Sequence, residues 1–256
     1  MQTESIYKKK KIPPGSIEII SLGNSWLGIK REEEGWYLKT FENIEKKEDI
    51  NISEIGKGDY FQSGESNSIV LAPALQDKPI VFKGSKLVIA PKQRITFFIK
   101  IPLVFQVYFS KVQPKNILTE FPCQRLSDTW FGEPDSGEAA FALGSDFYLS
   151  FDKIETSEYE AICPITIFNN SEVLLDVQRL IIRVQNLTLY LNKKKAVTSL
   201  VKIEYKGKEM ISSVDYHFSK NFHGEKQEIL AKPRNEESKN LLRINFHFIK
   251  NIYRTE

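Results

Sequence analysis

The chain is poor in the residues that carry most covalent and metal chemistry: two Cys, three His and two Met among 256 residues. Cys123 and Cys163 cannot form a disulfide framework, and two free buried thiols in a reducing compartment are the expectation. Neither has a local nucleophile signature, and no G-x-S-x-G elbow occurs. Walker and G-x-G-x-x-G phosphate loops are absent too, so no cofactor is expected. Charge of one sign is not in excess, with 36 basic against 33 acidic residues and a net charge of +3. That balance argues against a dedicated nucleic-acid domain.

Long apolar runs are also missing. The nearest, Ile95 to Phe109, is interrupted by Lys100, Pro102 and Gln106, which excludes a spanning helix. The start is polar and then basic, with Pro13, Pro14 and Gly15 following at once. It does not read as a secretory leader, and a cytoplasmic location is expected. Disorder is excluded by 17 Phe, 10 Tyr and 3 Trp, which supply ample apolar area to bury.

What is present is period two. From Ile95 to Phe109 every odd position is apolar and the even positions are mixed, the pattern of a strand with one face buried. At roughly 3.3 Å per residue this run would span about 50 Å, too long for one strand, and Pro102 is the predicted break. Alternation recurs over Leu187–Leu191, Val201–Tyr205, Met210–Phe218 and Leu242–Phe248, with Lys206-Gly207-Lys208 as a hairpin turn. Leu174 to Val184 is more continuously apolar and reads as a strand covered on both faces. Phe41 to Ile55 has no clean apolar stripe and reads as a short helix or a loop.

The predicted fold is therefore all-β, with two β-sandwich-like units. Residues 1–14 form a basic flexible arm, 15–112 the first unit, 113–140 a connecting segment and 141–256 the second unit. One large two-sheet body is the alternative.

The connecting segment holds the most unusual local sequence, Arg125-Leu-Ser-Asp-Thr-Trp-Phe-Gly-Glu-Pro-Asp-Ser-Gly-Glu138. Four carboxylates, Asp128, Glu133, Asp135 and Glu138, crowd around Trp130 and Phe131. An aromatic pair among acidic turn residues suits a binding loop. Structurally, Pro-Asp-Ser-Gly is a good β-turn, and Trp130 would then anchor that turn onto the core between the halves. The candidate binding residues are Asp128, Trp130, Phe131, Glu133 and Asp135, with Arg125 as an orienting charge.

This stretch, together with the Ala90-Pro-Lys-Gln-Arg-Ile-Thr-Phe-Phe98 block, resembles an uncharacterised, mainly archaeal family, domain of unknown function 432. The resemblance covers most of the chain. It implies no activity, cofactor or catalytic residue, and points to an archaeal cytoplasmic protein.

Rival chemistries rest on thinner patterns. His217 and His247 lie opposite the apolar face of their strands and are weak zinc candidates as cross-strand neighbours, with Asp215 or His223 as a third ligand. Paired carboxylates of the central loop could serve a glycoside-type hydrolase if a cleft separates them suitably. The Lys8–Lys11 run reads as a solvated arm that could touch anionic lipid weakly, and exposed edge strands could build an assembly subunit or homo-oligomer. With no complete catalytic set, the expectation is a non-catalytic binding or interaction module for a protein or small-molecule partner.

Overall fold

The computed structural model describes residues 9–207, 212–235 and 242–244. In chain order the strands are β1 (Lys9–Lys11), β2 (Ile17–Ser21), β3 (Ser25–Arg31), β4 (Gly35–Glu42), β5 (Asp59–Gln62), β6 (Ser68–Ala74), β7 (Ile80–Lys83), β8 (Leu87–Ile89), β9 (Arg94–Pro102), β10 (Val104–Phe109) and β11 (Ile117–Pro122). They continue as β12 (Ser127–Phe131), β13 (Glu138–Gly144), β14 (Glu160–Asn169), β15 (Leu175–Val177), β16 (Leu180–Ile182), β17 (Leu189–Asn192), β18 (Lys195–Thr198), β19 (Leu200–Tyr205), β20 (Ser212–His217), β21 (Ile229–Ala231) and β22 (Leu242–Ile244). The α-helix described, α1, is a single turn over Lys220–His223. The protein is all-β.

The chain forms two compact units, and neither is one continuous stretch. The first takes residues 1–74 and 102–125, the second 75–101 and 126–256. Sequence reasoning expects consecutive units over 15–112 and 141–256. The difference arises at the long apolar run. It breaks at Leu103, directly after Pro102, into β9 and β10, which belong to different sheets. Two short strands can each satisfy a separate ladder, which one strand of that length cannot.

The first unit has two four-stranded antiparallel sheets, ordered β1-β6-β10-β11 and β2-β3-β4-β5. Lys9–Lys11 is an edge strand, Lys9 opposite Val70 and Lys11 opposite Ser68, and not a free arm. Lysines on an open edge keep it from pairing with other chains. Lys8 lies outside the described residues. The Phe41–Ile55 region ends in two 3₁₀ turns, Lys47–Asp49 and Ile52–Lys57, the second capped by the Asn51 side chain. Its Ile55 is fully buried over β3. A Cβ on Gly28 would lie 2.7 Å from Ile55 Cγ1, so only glycine admits this close approach.

Arg31 is 0% exposed inside this unit. Its guanidinium donates to the carbonyls of Gly35 (2.7 Å), Glu33 (2.8 Å) and Gly64 (2.9 Å), and to Asn67 Oδ1 (3.3 Å). It lies 4.9 Å from the Trp36 ring centroid. The buried charge is compensated by carbonyl dipoles and an aromatic face.

The second unit contains the sheet β12-β13-β7-β16, the pair β15-β8 and a large sheet ordered β21-β17-β18-β14-β19-β20-β22, where β9 also pairs with β14. Parallel pairing occurs between β13 and β7 and along β14. The near-continuous apolar character of β14 follows from burial on both faces. Cys163 and Pro164 lie inside β14. Pro164 sits where the partner changes from β18, at Ala161 and Ile162, to β19, from Ile165 on, so its missing N–H falls at a gap in the ladder.

The Leu174–Val184 region is two short strands in different sheets, β15 on β8 and β16 on β7, not one. Leu175 and Val177 on β15 and Leu180, Ile181 and Ile182 on β16 are buried by separate neighbours, whereas Leu174 is exposed. β19 and β20 pair antiparallel, with Gly207 at φ +115° after Tyr205, as a turn there requires. A core cluster of Phe98, Ile154, Ile162 and Val197 is covered by Tyr148, Phe151 and Phe222.

Candidate functional site

The central segment is a β-hairpin. β12 and β13 pair with Asp128 opposite Phe141, Trp130 opposite Ala139 and Phe131 opposite Glu138. Gly132 takes φ +108°, a region that favours glycine. At the tip the Glu133 carbonyl accepts the N–H groups of Ser136 (3.3 Å) and Gly137 (2.8 Å). A third donor, the Trp130 indole Nε1–H, reaches the same oxygen at 3.0 Å. The indole therefore lies on its own turn. A Cβ on Gly137 would sit 2.4 Å from Nε1, so this placement depends on glycine there.

Trp130 remains 47% exposed and does not anchor the turn in a core. That role belongs to its neighbour, because successive strand residues point to opposite faces. Phe131 packs on Val81, Ala140 and Ile181. Val81, Ala140 and Ile181 come from β7, β13 and β16, so Phe131 on the edge strand β12 covers a cluster that spans the rest of its sheet.

Three cations from distant sequence hold the hairpin. Lys78 Nζ is 3.0 Å from Asp128 Oδ1 and 4.9 Å from the Phe141 ring centroid. Arg179 donates to the Trp130 carbonyl at 3.2 Å, with its guanidinium 5.6 Å from the Phe131 ring centroid. Arg183 forms a short ion pair with Glu138. Sequence reasoning missed all three, since nothing local marks them. Arg125, expected to orient the loop, belongs to the first unit and pairs with Glu42 at 3.8 Å. Asp128, Trp130, Phe131, Glu133 and Asp135 do share one hairpin, with Glu133 and Asp135 exposed at its tip.

The other candidate chemistries find less. His217 is exposed on β20, opposite Leu200, and lies beyond the Val214–Leu242 end of the β20–β22 ladder. His247 lies outside the described residues. Among the described residues no three His, Cys, Asp or Glu converge as a metal site. His223, the proposed third ligand, has both ring nitrogens engaged. The Thr198 carbonyl, 2.7 Å from Nε2, can only accept, so Nε2 carries the proton and Nδ1 accepts the Ser219 N–H at 2.8 Å. Cys123 and Cys163 are free and buried, and burial pushes both thiols up to about 12, far from nucleophile chemistry.

His223 carries a testable consequence. Burial among Tyr190 and Phe218 lowers its pKa from the ordinary 6.5, outweighing the Thr198 and Ser219 carbonyls close to its ring nitrogens. The unfolded chain then binds more protons than the native one, so stability is full above the unfolded pKa and falls as pH drops through the folded one. Thermal midpoints recorded from about pH 7.5 to about pH 5 should fall, and His223→Gln should flatten that slope. An unchanged slope would remove His223 as its source.

A family model described as a protein of unknown function (DUF432) matches residues 6–250. The chain belongs to that family. No curated protein and no solved structure matches it. Among the described residues no helix is long and apolar enough to cross a membrane.

Proposed function

We propose that the protein is a non-catalytic binding module whose recognition element is the β12–β13 hairpin. One observation carries this reading: the largest side chain of the hairpin is exposed yet held rigid, with the Trp130 indole N–H fixed on the Glu133 carbonyl. An exposed aromatic already held in one orientation loses little conformational freedom when a partner covers it, and tryptophan is among the residues enriched at binding hot spots. Arg179 and Lys78 brace the backbone and the neighbouring rings, so the anchor stands on a supported element rather than a loose loop.

A hydrolase using the same loop is less well supported. Asp128 and Glu138 are each engaged by a cation, whereas glycoside chemistry needs one carboxyl as proton donor across a cleft from the other. Two unpaired, buried cysteines favour a reducing compartment, and we place the module in the cytoplasm.

A thermal-shift panel of metals, nucleotides, sugars, anionic lipid headgroups and short peptides tests the reading. A true ligand at about 100 times its Kd should stabilise the protein by about 2.7 kcal/mol, and Trp130→Ala should abolish that gain. A ligand whose effect survives in Trp130→Ala binds elsewhere and refutes the hairpin as the recognition element.

A further inference from the structure

We propose that the hairpin tip receives a basic side chain, Lys or Arg, of an extended partner peptide, seated on the Trp130 indole with Glu133 and Asp135 as its counter-charges. This deepens the reading of the hairpin as a recognition element and rests on it.

The hairpin itself supplies the pattern. Its strands carry three large aromatic rings, and two of them already hold a cation from the same chain. Lys78 sits over Phe141 while bonded to the Asp128 carboxylate. Arg179 sits over Phe131 while bonded to the Trp130 carbonyl. Trp130 has the ring most attractive to a cation. Among the described residues it carries none, and it is 47% exposed.

Charge points the same way. Asp128 and Glu138 are matched by Lys78 and Arg183, whereas Glu133 and Asp135, exposed beside the indole in the turn, meet no cation among the described residues. The tip therefore presents an aromatic face and two uncompensated carboxylates. A basic side chain fits both features at once, while a neutral sugar could donate hydrogen bonds but would leave the two charges uncompensated and an anion would be repelled. Backbone strand addition is less suited, because Arg179 occupies the Trp130 carbonyl on the edge strand.

The test is a titration of the ¹⁵N-labelled full chain, read at the indole N–H resonance of Trp130, which Trp130→Phe identifies. The probes are short peptides alternating glycine with arginine or lysine, against glycine–serine and glycine–glutamate peptides of equal length. The basic peptides should give a saturable shift that weakens with salt, and the others should not. The double variant Glu133→Gln, Asp135→Asn keeps the backbone carbonyl that fixes the indole, and should weaken binding about tenfold or more. Equal shifts with the serine peptide, no saturation with the basic ones, or unweakened binding by the double variant would each overturn the proposal. A sugar or nucleotide hit lost in Trp130→Ala would overturn it too, while leaving the hairpin as the recognition element.

Discussion

Replacing Arg31 by methionine should destabilise the first unit by about 2–4 kcal/mol, because the carbonyls of Gly35, Glu33 and Gly64 and the Asn67 Oδ1 lose the guanidinium that donates to them. The remaining groups cannot be repaired by an apolar side chain. The Gly35 carbonyl keeps the Glu32 N–H, but those of Glu33 and Gly64 lose the guanidinium donor. Both bonds are partly buried, so each lost donor costs toward the lower end of about 1–3 kcal/mol. Arg31→Lys should rescue only part of this, since one ammonium cannot span three carbonyls and the Trp36 face. The loss is a large share of the about 5–15 kcal/mol that holds a typical domain. Both Trp26 and Trp36 lie in the first unit, so in a Trp130→Phe background tryptophan fluorescence during urea unfolding reports that unit alone. A midpoint unmoved by Arg31→Met would refute the structural role assigned to the buried guanidinium.

The second large effect is expected at Asn169, 0% exposed at the end of β14. Its Nδ2 donates to the carbonyls of Ile89 (2.9 Å), Ala90 (3.2 Å) and Val173 (2.8 Å). Its Oδ1 accepts the Ser171 N–H (3.1 Å) and hydroxyl (2.7 Å). One amide thus ties the loops on either side of the β8–β15 pair, and its backbone completes the knot, exchanging bonds with Lys92 and Gln93. Asn169→Ala should destabilise the second unit by about 2–4 kcal/mol, from several stranded polar groups and little lost volume. Asn169→Asp should be at least as damaging at neutral pH, because a carboxylate cannot donate to three carbonyls. It should recover toward wild type as pH falls, since burial and the facing carbonyls would raise its pKa and the native state would then bind the extra proton. Hydrogen exchange at the Lys92 and Ser171 amides gives the local readout. Unchanged protection in Asn169→Ala would show that the loops are held by other contacts.

These two residues show where sequence reasoning stops. Arg31 is one of 36 basic residues and Asn169 resembles any polar residue after a strand. Burial of either is decided by groups far along the chain: Gly64 for Arg31, Ile89 and Ala90 for Asn169. The candidate site divides in the same way. Turn chemistry located the hairpin, because Gly132 and Pro-Asp-Ser-Gly have local conformational requirements. Its braces, Lys78, Arg179 and Arg183, come from other strands, and no local pattern announces them.

Taken by itself, the sequence determined the all-β class, the positions of several strands, the break near Pro102 and the acidic-aromatic turn. All of these follow from period-two burial and from the backbone limits of Gly and Pro, which act over a few residues. Tertiary structure alone decided which strands pair, that β14 lies between parallel neighbours, and that each unit is assembled from two separated stretches. It also decided that Trp130 stays outside while Phe131 goes in. Alternation requires only that the two neighbours point to opposite faces; which face is buried depends on the cluster of Val81, Ala140 and Ile181, residues brought together by strand pairing.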